Sequence, residues 1–128
     1  MYKYVIFDLD GTLLNTLEDL AAAGNYALSA SGYPTYAAER YKYFVGNGIP
    51  VLIKRICPQN IGEQEESRVR ELFSEYYGAH CLDNTKPYEG ISEMLAELKR
   101  NGIGTGVVTN KDHSYSAKLV KDFFGDNI

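Results

Sequence analysis

Apolar residues crowd into two short runs of the chain and elsewhere recur every three or four positions. The first run, residues 3–8 (KYVIFD), is rich in β-branched and aromatic types and ends in a turn at Gly11, so it predicts a buried strand. The second, residues 103–109 (IGTGVVT), predicts another. Between them the period is helical. Leu17, Leu20, Ala21, Gly24 and Leu28 keep helical spacing up to Gly32, with Thr16 placed to cap the N-terminus and Glu18 and Asp19 in the first turn. A second helical stretch covers about residues 36–44 (YAAERYKYF). The turn Gly46-Asn47-Gly48 follows, and Pro50 suits the first turn of a third helix that ends at Ile56. A fourth, from about 63 to 80, puts Val69, Leu72, Phe73, Tyr76 and Tyr77 on one face. At residues 84–90 (NTKPYEG) the chain turns loop-like, then a helix directs Ile91, Met94, Leu95 and Leu98 inward and stops at Gly102. Beyond the second apolar run come the polar NKDHS and a last helix carrying Val120, Phe123 and Phe124. The flanks are strand-and-helix and the middle is all helix.

Composition narrows the class. The chain has 128 residues, 45% hydrophobic and 23% charged, enough for one globular domain. A net charge of −4 without any basic cluster longer than two residues points away from nucleic acid as a partner. No apolar run reaches the roughly 20 residues of a membrane helix, and the N-terminus carries no signal-peptide pattern, so a cytoplasmic location off the membrane is expected. Cys57 and Cys81 stand outside any CxxC or zinc-ligand spacing and are expected to be reduced, packed thiols. The eleven tyrosines form no regular stripe and are expected to be half-buried with wet hydroxyls. His80 and His113 have no acid or thiol partner at ligand spacing and are expected on the surface.

Candidate chemistry sits at the end of the first strand, where Phe7 gives way to Asp8 and, after one leucine, Asp10. Residues two apart in an extended chain point the same way, so both carboxylates can address the carboxyl end of the strand, where open α/β sheets bind ligands. Two carboxylates about 6 Å apart repel by roughly 3 kcal/mol at an effective dielectric of about 20, so the pair favours a bound cation. Oxygen ligands suit a hard cation such as Mg²⁺, which shares its shell with substrate phosphate and water, and a carboxylate can itself attack phosphorus. A D-x-D pair can also simply cap the turn that follows it.

The whole stretch DLDGTLLNT resembles the D-x-D-G-T signature of the haloacid dehalogenase (HAD) superfamily of phosphohydrolases. That resemblance implies an α/β fold: a partial Rossmann-like parallel-sheet core at residues 1–15 and 83–128, with an inserted α-helical cap domain at 16–82. It implies Asp8 as nucleophile, Asp10 as general acid and base, and Mg²⁺ held by the Asp8 carboxylate and the Asp10 carbonyl. GVVTNK is similar to the second family signature, with Thr109 donating to a phosphoryl oxygen and main-chain N–H groups near Leu9, Asp10 and Asn110 completing a cradle. FVGNGIPVLIKRI is similar to the cap segment of the phosphoglycolate phosphatase-like branch, in which Gly46, Asn47, Gly48 and Arg55 (or Lys54) would face the substrate. A turn joining two helices and a solvated charge explain the same residues. Asn15 departs from the acid common among relatives.

The same resemblance implies two elements that this chain does not show after its second signature: a separate charge-neutralising lysine, distinct from Lys111, and a later acidic pair for the metal. The expectation is therefore the N-terminal portion of a Mg²⁺-dependent phosphatase that cleaves a small phosphorylated metabolite through an aspartyl-phosphate. A catalytically incomplete fragment that only binds Mg²⁺ and phosphate, or a sugar-phosphate mutase or pyrophosphatase of the same fold, are the alternatives. With one flank of the first strand unpaired, self-association through the exposed core edge is also expected.

Overall fold

A computed structural model describes residues 2–128. The first apolar run forms strand β1 (Tyr4–Phe7) and the second forms β4 (Gly104–Val107), paired in parallel with Tyr4 opposite Gly104 and Phe7 opposite Val107. Two short strands, β2 (Leu14–Asn15) and β3 (Lys86–Pro87), make an antiparallel ribbon beside them. Two residues carry no readable period, which is why neither strand is visible in the sequence.

Five helices complete the α/β fold: α1 (Leu17–Ala30), α2 (Ile49–Ile56), α3 (Glu63–His80), α4 (Ile91–Arg100) and α5 (His113–Phe124). The small residues Ala23, Gly24 and Ala27 are buried on α1, and Val69, Phe73 and Tyr77 are buried on α3, the helix packed against it. Small side chains on one helix let the large ones on the other settle close to its axis. Tyr26 stacks on Tyr76 at 4.8 Å across this pair. Three glutamates, Glu63, Glu65 and Glu66, open α3, where the helix dipole favours negative charge. Asp112 caps α5 by accepting from the Ser114 N–H at 3.0 Å.

Several local expectations are corrected. Residues 38–43 form a 3₁₀ helix, Ala38–Tyr43, rather than an α-helix starting at 36. Tyr36 cannot join it because its N–H donates to Asn25 Oδ1 (3.1 Å) and its carbonyl accepts from Asn25 Nδ2 (2.8 Å), which ties that backbone to α1. Thr16 precedes α1 but makes no side-chain cap; its hydroxyl goes elsewhere, as described below. The first strand is not buried: Ile6 is 67% exposed and only Val5 and Phe7 are half covered, since β4 is its one partner strand among the described residues. Tyr41 and Tyr77 are fully buried rather than half wet, each with its hydroxyl bonded inside the protein. His80 does have an acid partner, Asp83 at 2.7 Å one helical turn on, while His113 is exposed. Cys57 and Cys81 are free and buried, and burial next to the Glu66 carboxylate pushes the Cys57 thiol up to about 11. Among the described residues no helix is long and apolar enough to cross a membrane.

Candidate active site

The register of β1 and β4 decides which residues meet. Phe7 lies opposite Val107, and the Val108 N–H extends the ladder by donating to the Phe7 carbonyl at 2.9 Å. Asp8 and Thr109 therefore leave the sheet side by side at its carboxyl end. Past Asp8 the chain wraps around one carbonyl: the N–H groups of Thr12, Leu13 and Leu14 all donate to Leu9 O, while the Leu9 side chain is fully buried beneath. This turn brings Asp10 back over the strand end.

Asp8 Oδ1 accepts from the Leu9 N–H at 2.9 Å, so that N–H is engaged within the protein rather than exposed as a cradle. Asp8 Oδ2 has no hydrogen bond among the described residues, and Asp8 lines the cavity described below. Asp10 Oδ1 accepts from the Thr16 hydroxyl at 2.6 Å and lies 3.2 Å from the Lys111 ammonium. Thr16 is thus spent on holding Asp10, which explains the missing helix cap. Thr109 Oγ1 accepts from the Lys111 N–H at 3.1 Å and keeps its own proton to donate. Asn110 points its amide at the helical stretch, donating to Gly46 O at 2.9 Å.

Lys111 is the feature that sequence reasoning missed. Its side chain is only 3% exposed, and Nζ donates to the Tyr77 hydroxyl at 2.7 Å from a position 4.5 Å from the centre of the Tyr77 ring. Burial pushes its pKa down, and the Asp10 carboxylate pulls it partly back. At 3.2 Å a unit charge pair attracts by about 5 kcal/mol before desolvation at an effective dielectric of about 20, more than the roughly 3 kcal/mol of carboxylate repulsion. The protein thus sets a cation of its own against Asp10. A lysine two residues past a strand-ending threonine is the one local signal that could have found it.

Asp8, Asp10, Thr109, Asn110 and Lys111 line one wall of a cavity of about 30 Å³, room for roughly two waters, and Leu20, Val45, Gly46, Gly48, Ile49 and Leu52 close the other. Gly48 is required there: its φ is +89°, and a Cβ would come within 3.1 Å of the Asn110 carbonyl oxygen. A wider groove of about 400 Å³ adjoins it, lined by Asp10, Thr16, Val45, Gly46, Lys42 and Tyr88 among others. Of the residues expected to face substrate, Gly46 and Gly48 reach the cavity, and Asn47 is not among its walls. Arg55 is elsewhere, donating to Phe44 O at 3.1 Å and lining a separate cleft with Lys54, Cys57 and Pro58. α2 turns its buried face, Leu52, Ile53 and Ile56, inward, and that leaves Lys54 and Arg55 on the outside.

The architecture recurs in solved structures. A crystal structure from Lactobacillus delbrueckii subsp. bulgaricus superposes with a TM-score of 0.92 at 32% identity, over 99% of this chain and 62% of that one. One described as a predicted phosphoglycolate phosphatase from Haemophilus somnus gives 0.92 at 33% identity, over 98% and 59%. Among relatives by sequence, phosphoglycolate phosphatase 1 of Pseudomonas aeruginosa is 37% identical over 126 residues, 94% of this chain and 46% of that protein. The N-acetylmuramic acid 6-phosphate phosphatase of the same organism is 32% identical over 119 residues, 93% of this chain and 53% of that protein. The chain spans about half the length of these relatives. The family model for haloacid dehalogenase-like hydrolases matches residues 5–126, from the first strand through the last helix. With its two aspartates at the end of β1 and its threonine at the end of β4, the chain belongs to the haloacid dehalogenase-like hydrolase family.

Proposed function

We propose that this chain carries the nucleophile side of a Mg²⁺-dependent phosphohydrolase acting on a small phosphomonoester, with phosphoglycolate as the nearest substrate class. The observation that carries this is the convergence of Asp8, Asp10, Thr109 and Lys111 on one cavity wall at the carboxyl end of β1 and β4. The phosphatase names of the relatives point the same way.

In this scheme a free Asp8 carboxylate oxygen bonds to phosphorus as the ester P–O bond breaks, and protonated Asp10 gives its proton to the leaving alcohol. Asp10 then takes a proton from the water that attacks the aspartyl-phosphate, and Asp8 leaves as carboxylate. Thr109 donates its hydroxyl proton to a phosphoryl oxygen. The Asp8 carboxylate and the Asp10 carbonyl, both hard oxygens, would hold Mg²⁺. When bound, the ion supplies charge neutralisation at the phosphoryl oxygens. The helical stretch 16–82 acts as a cap: Val45, Gly46, Gly48, Ile49 and Leu52 line the cavity opposite Asp8, Asp10 and Lys111.

A second reading keeps the same residues: Asp8, Asp10 and Thr109 bind Mg²⁺ and phosphate without turnover. The deciding experiment is Mg²⁺-dependent phosphate release from 2-phosphoglycolate and p-nitrophenyl phosphate, on this chain and on Asp8→Asn. Turnover abolished in the variant supports the hydrolase. Absence of turnover in both, with inorganic phosphate still bound by calorimetry, supports the binding reading.

A further inference from the structure

Tyr77 belongs to α3, does not line the cavity and is fully buried, yet its hydroxyl lies one residue away from Asp10 in the chain of contacts. Its ring is wedged between Phe73, stacked at 5.6 Å, and Tyr115, edge-on at 5.1 Å. A phenol held on both sides cannot swing, so the packing of α3 sets where the hydroxyl sits. That hydroxyl and the Asp10 carboxylate are the two side-chain partners of a buried ammonium, at 2.7 and 3.2 Å. An ammonium has three protons and no acceptor, and taken from water it stays where its partners are. Asp10 is gripped on the same oxygen by Thr16 at 2.6 Å, which leaves Oδ2 without a hydrogen bond among the described residues.

We propose that Tyr77 is a positioning residue for Asp10: it holds the Lys111 ammonium on Asp10 Oδ1, and thereby turns the other carboxylate oxygen toward the reacting ester. The proposal rests on Asp10 being the acid and base of the proposed hydrolase. It makes α3, a helix of the capping stretch, part of the apparatus that orients the proton-transfer group. Since Tyr77 does not touch the cavity, loss of its hydroxyl changes the orientation of Asp10 and leaves ground-state binding of substrate intact.

Tyr77→Phe keeps the ring and removes only the hydroxyl. Two readouts test it, and the first needs no turnover. Acylation of Lys111 by an amine-reactive acetyl ester, followed by peptide mass spectrometry, is expected to be slow in the parent and roughly tenfold or more faster in Tyr77→Phe. In p-nitrophenyl phosphate hydrolysis with Mg²⁺, kcat is expected to fall roughly ten- to hundredfold while KM stays within about twofold. Should the single variant fail to fold, Tyr77→Phe/Lys111→Met, an uncharged pair, serves beside Lys111→Met alone. The double variant is expected to be no slower than Lys111→Met, because Tyr77 acts only through the lysine. Unchanged protection of Lys111, an unchanged kcat, or a further loss in the double variant overturns the proposal. A parent chain without turnover sinks the hydrolase instead, and the acylation rate still decides whether Tyr77 holds Lys111.

Discussion

Gly24 lies on the buried face of α1, where a Cβ would come closer than 3.0 Å to three atoms of the Tyr41 phenol. That phenol cannot yield. Its hydroxyl donates to Asn25 Oδ1 at 2.8 Å, and its ring meets Tyr36 and Phe44 edge-on at 6.3 and 5.5 Å. Alanine would gain about 1 kcal/mol of helix propensity and lose about 1–3 kcal/mol to overpacking. Gly24→Ala is therefore expected to lower stability by up to about 2 kcal/mol, seen as a lower urea midpoint at constant m-value. Individual residues were legible where their chemical type spoke locally. The paired aspartates, the strand-ending threonine and the Gly46–Gly48 turn stand where the sequence puts them. Lys111 and Tyr77 were not legible, because a lysine after a strand and one tyrosine among eleven look like ordinary solvated or packing residues until their contact is seen.

Among the elements, α1 and the loop before β3 are joined by one buried carboxylate. Asp19, 2% exposed, accepts from the N–H and the side-chain amide of Asn84 and from the N–H and hydroxyl of Thr85, at 2.7–3.2 Å. The sequence places Asp19 in the first turn of a helix, where the dipole alone would account for it. The structure gives it a larger task, since these bonds fasten the start of the helical stretch to the residues just before β3. Asp19→Ala strands buried donors, and each hydrogen bond to a charged group contributes about 1.5–3 kcal/mol. A loss of about 3 kcal/mol or more is expected, with faster proteolytic cleavage around residues 82–86 than elsewhere in the chain. Asn25 does the same service for Tyr36, and this is why the stretch after Pro34 begins as a 3₁₀ helix two residues late. Helix period reports which face is apolar, and it is silent on side chains that capture a neighbouring backbone.

Over the whole molecule, the two-stranded parallel sheet leaves Tyr4, Ile6 and Val108 at 76%, 67% and 67% exposure. Parallel strands are ordinarily covered on both faces, and an uncovered apolar edge invites pairing. Sedimentation velocity is expected to show association growing from low to high micromolar concentration and to be abolished by Ile6→Lys; an unchanging monomer would rule this out. The order of the two parallel strands and the helices, the α/β class and the placing of Asp8, Asp10 and Thr109 at a strand's carboxyl end follow from the sequence alone, because apolar period, turn residues and side-chain chemistry are local properties. Tertiary structure alone decided that Thr16 serves Asp10 instead of a helix end, that Arg55 turns away from the cavity, and that Lys111 reaches Tyr77 across 34 positions of chain. Such contacts are set by which rotamers the packed helices permit, and no local pattern encodes the spacing between partners that meet only after the chain has folded.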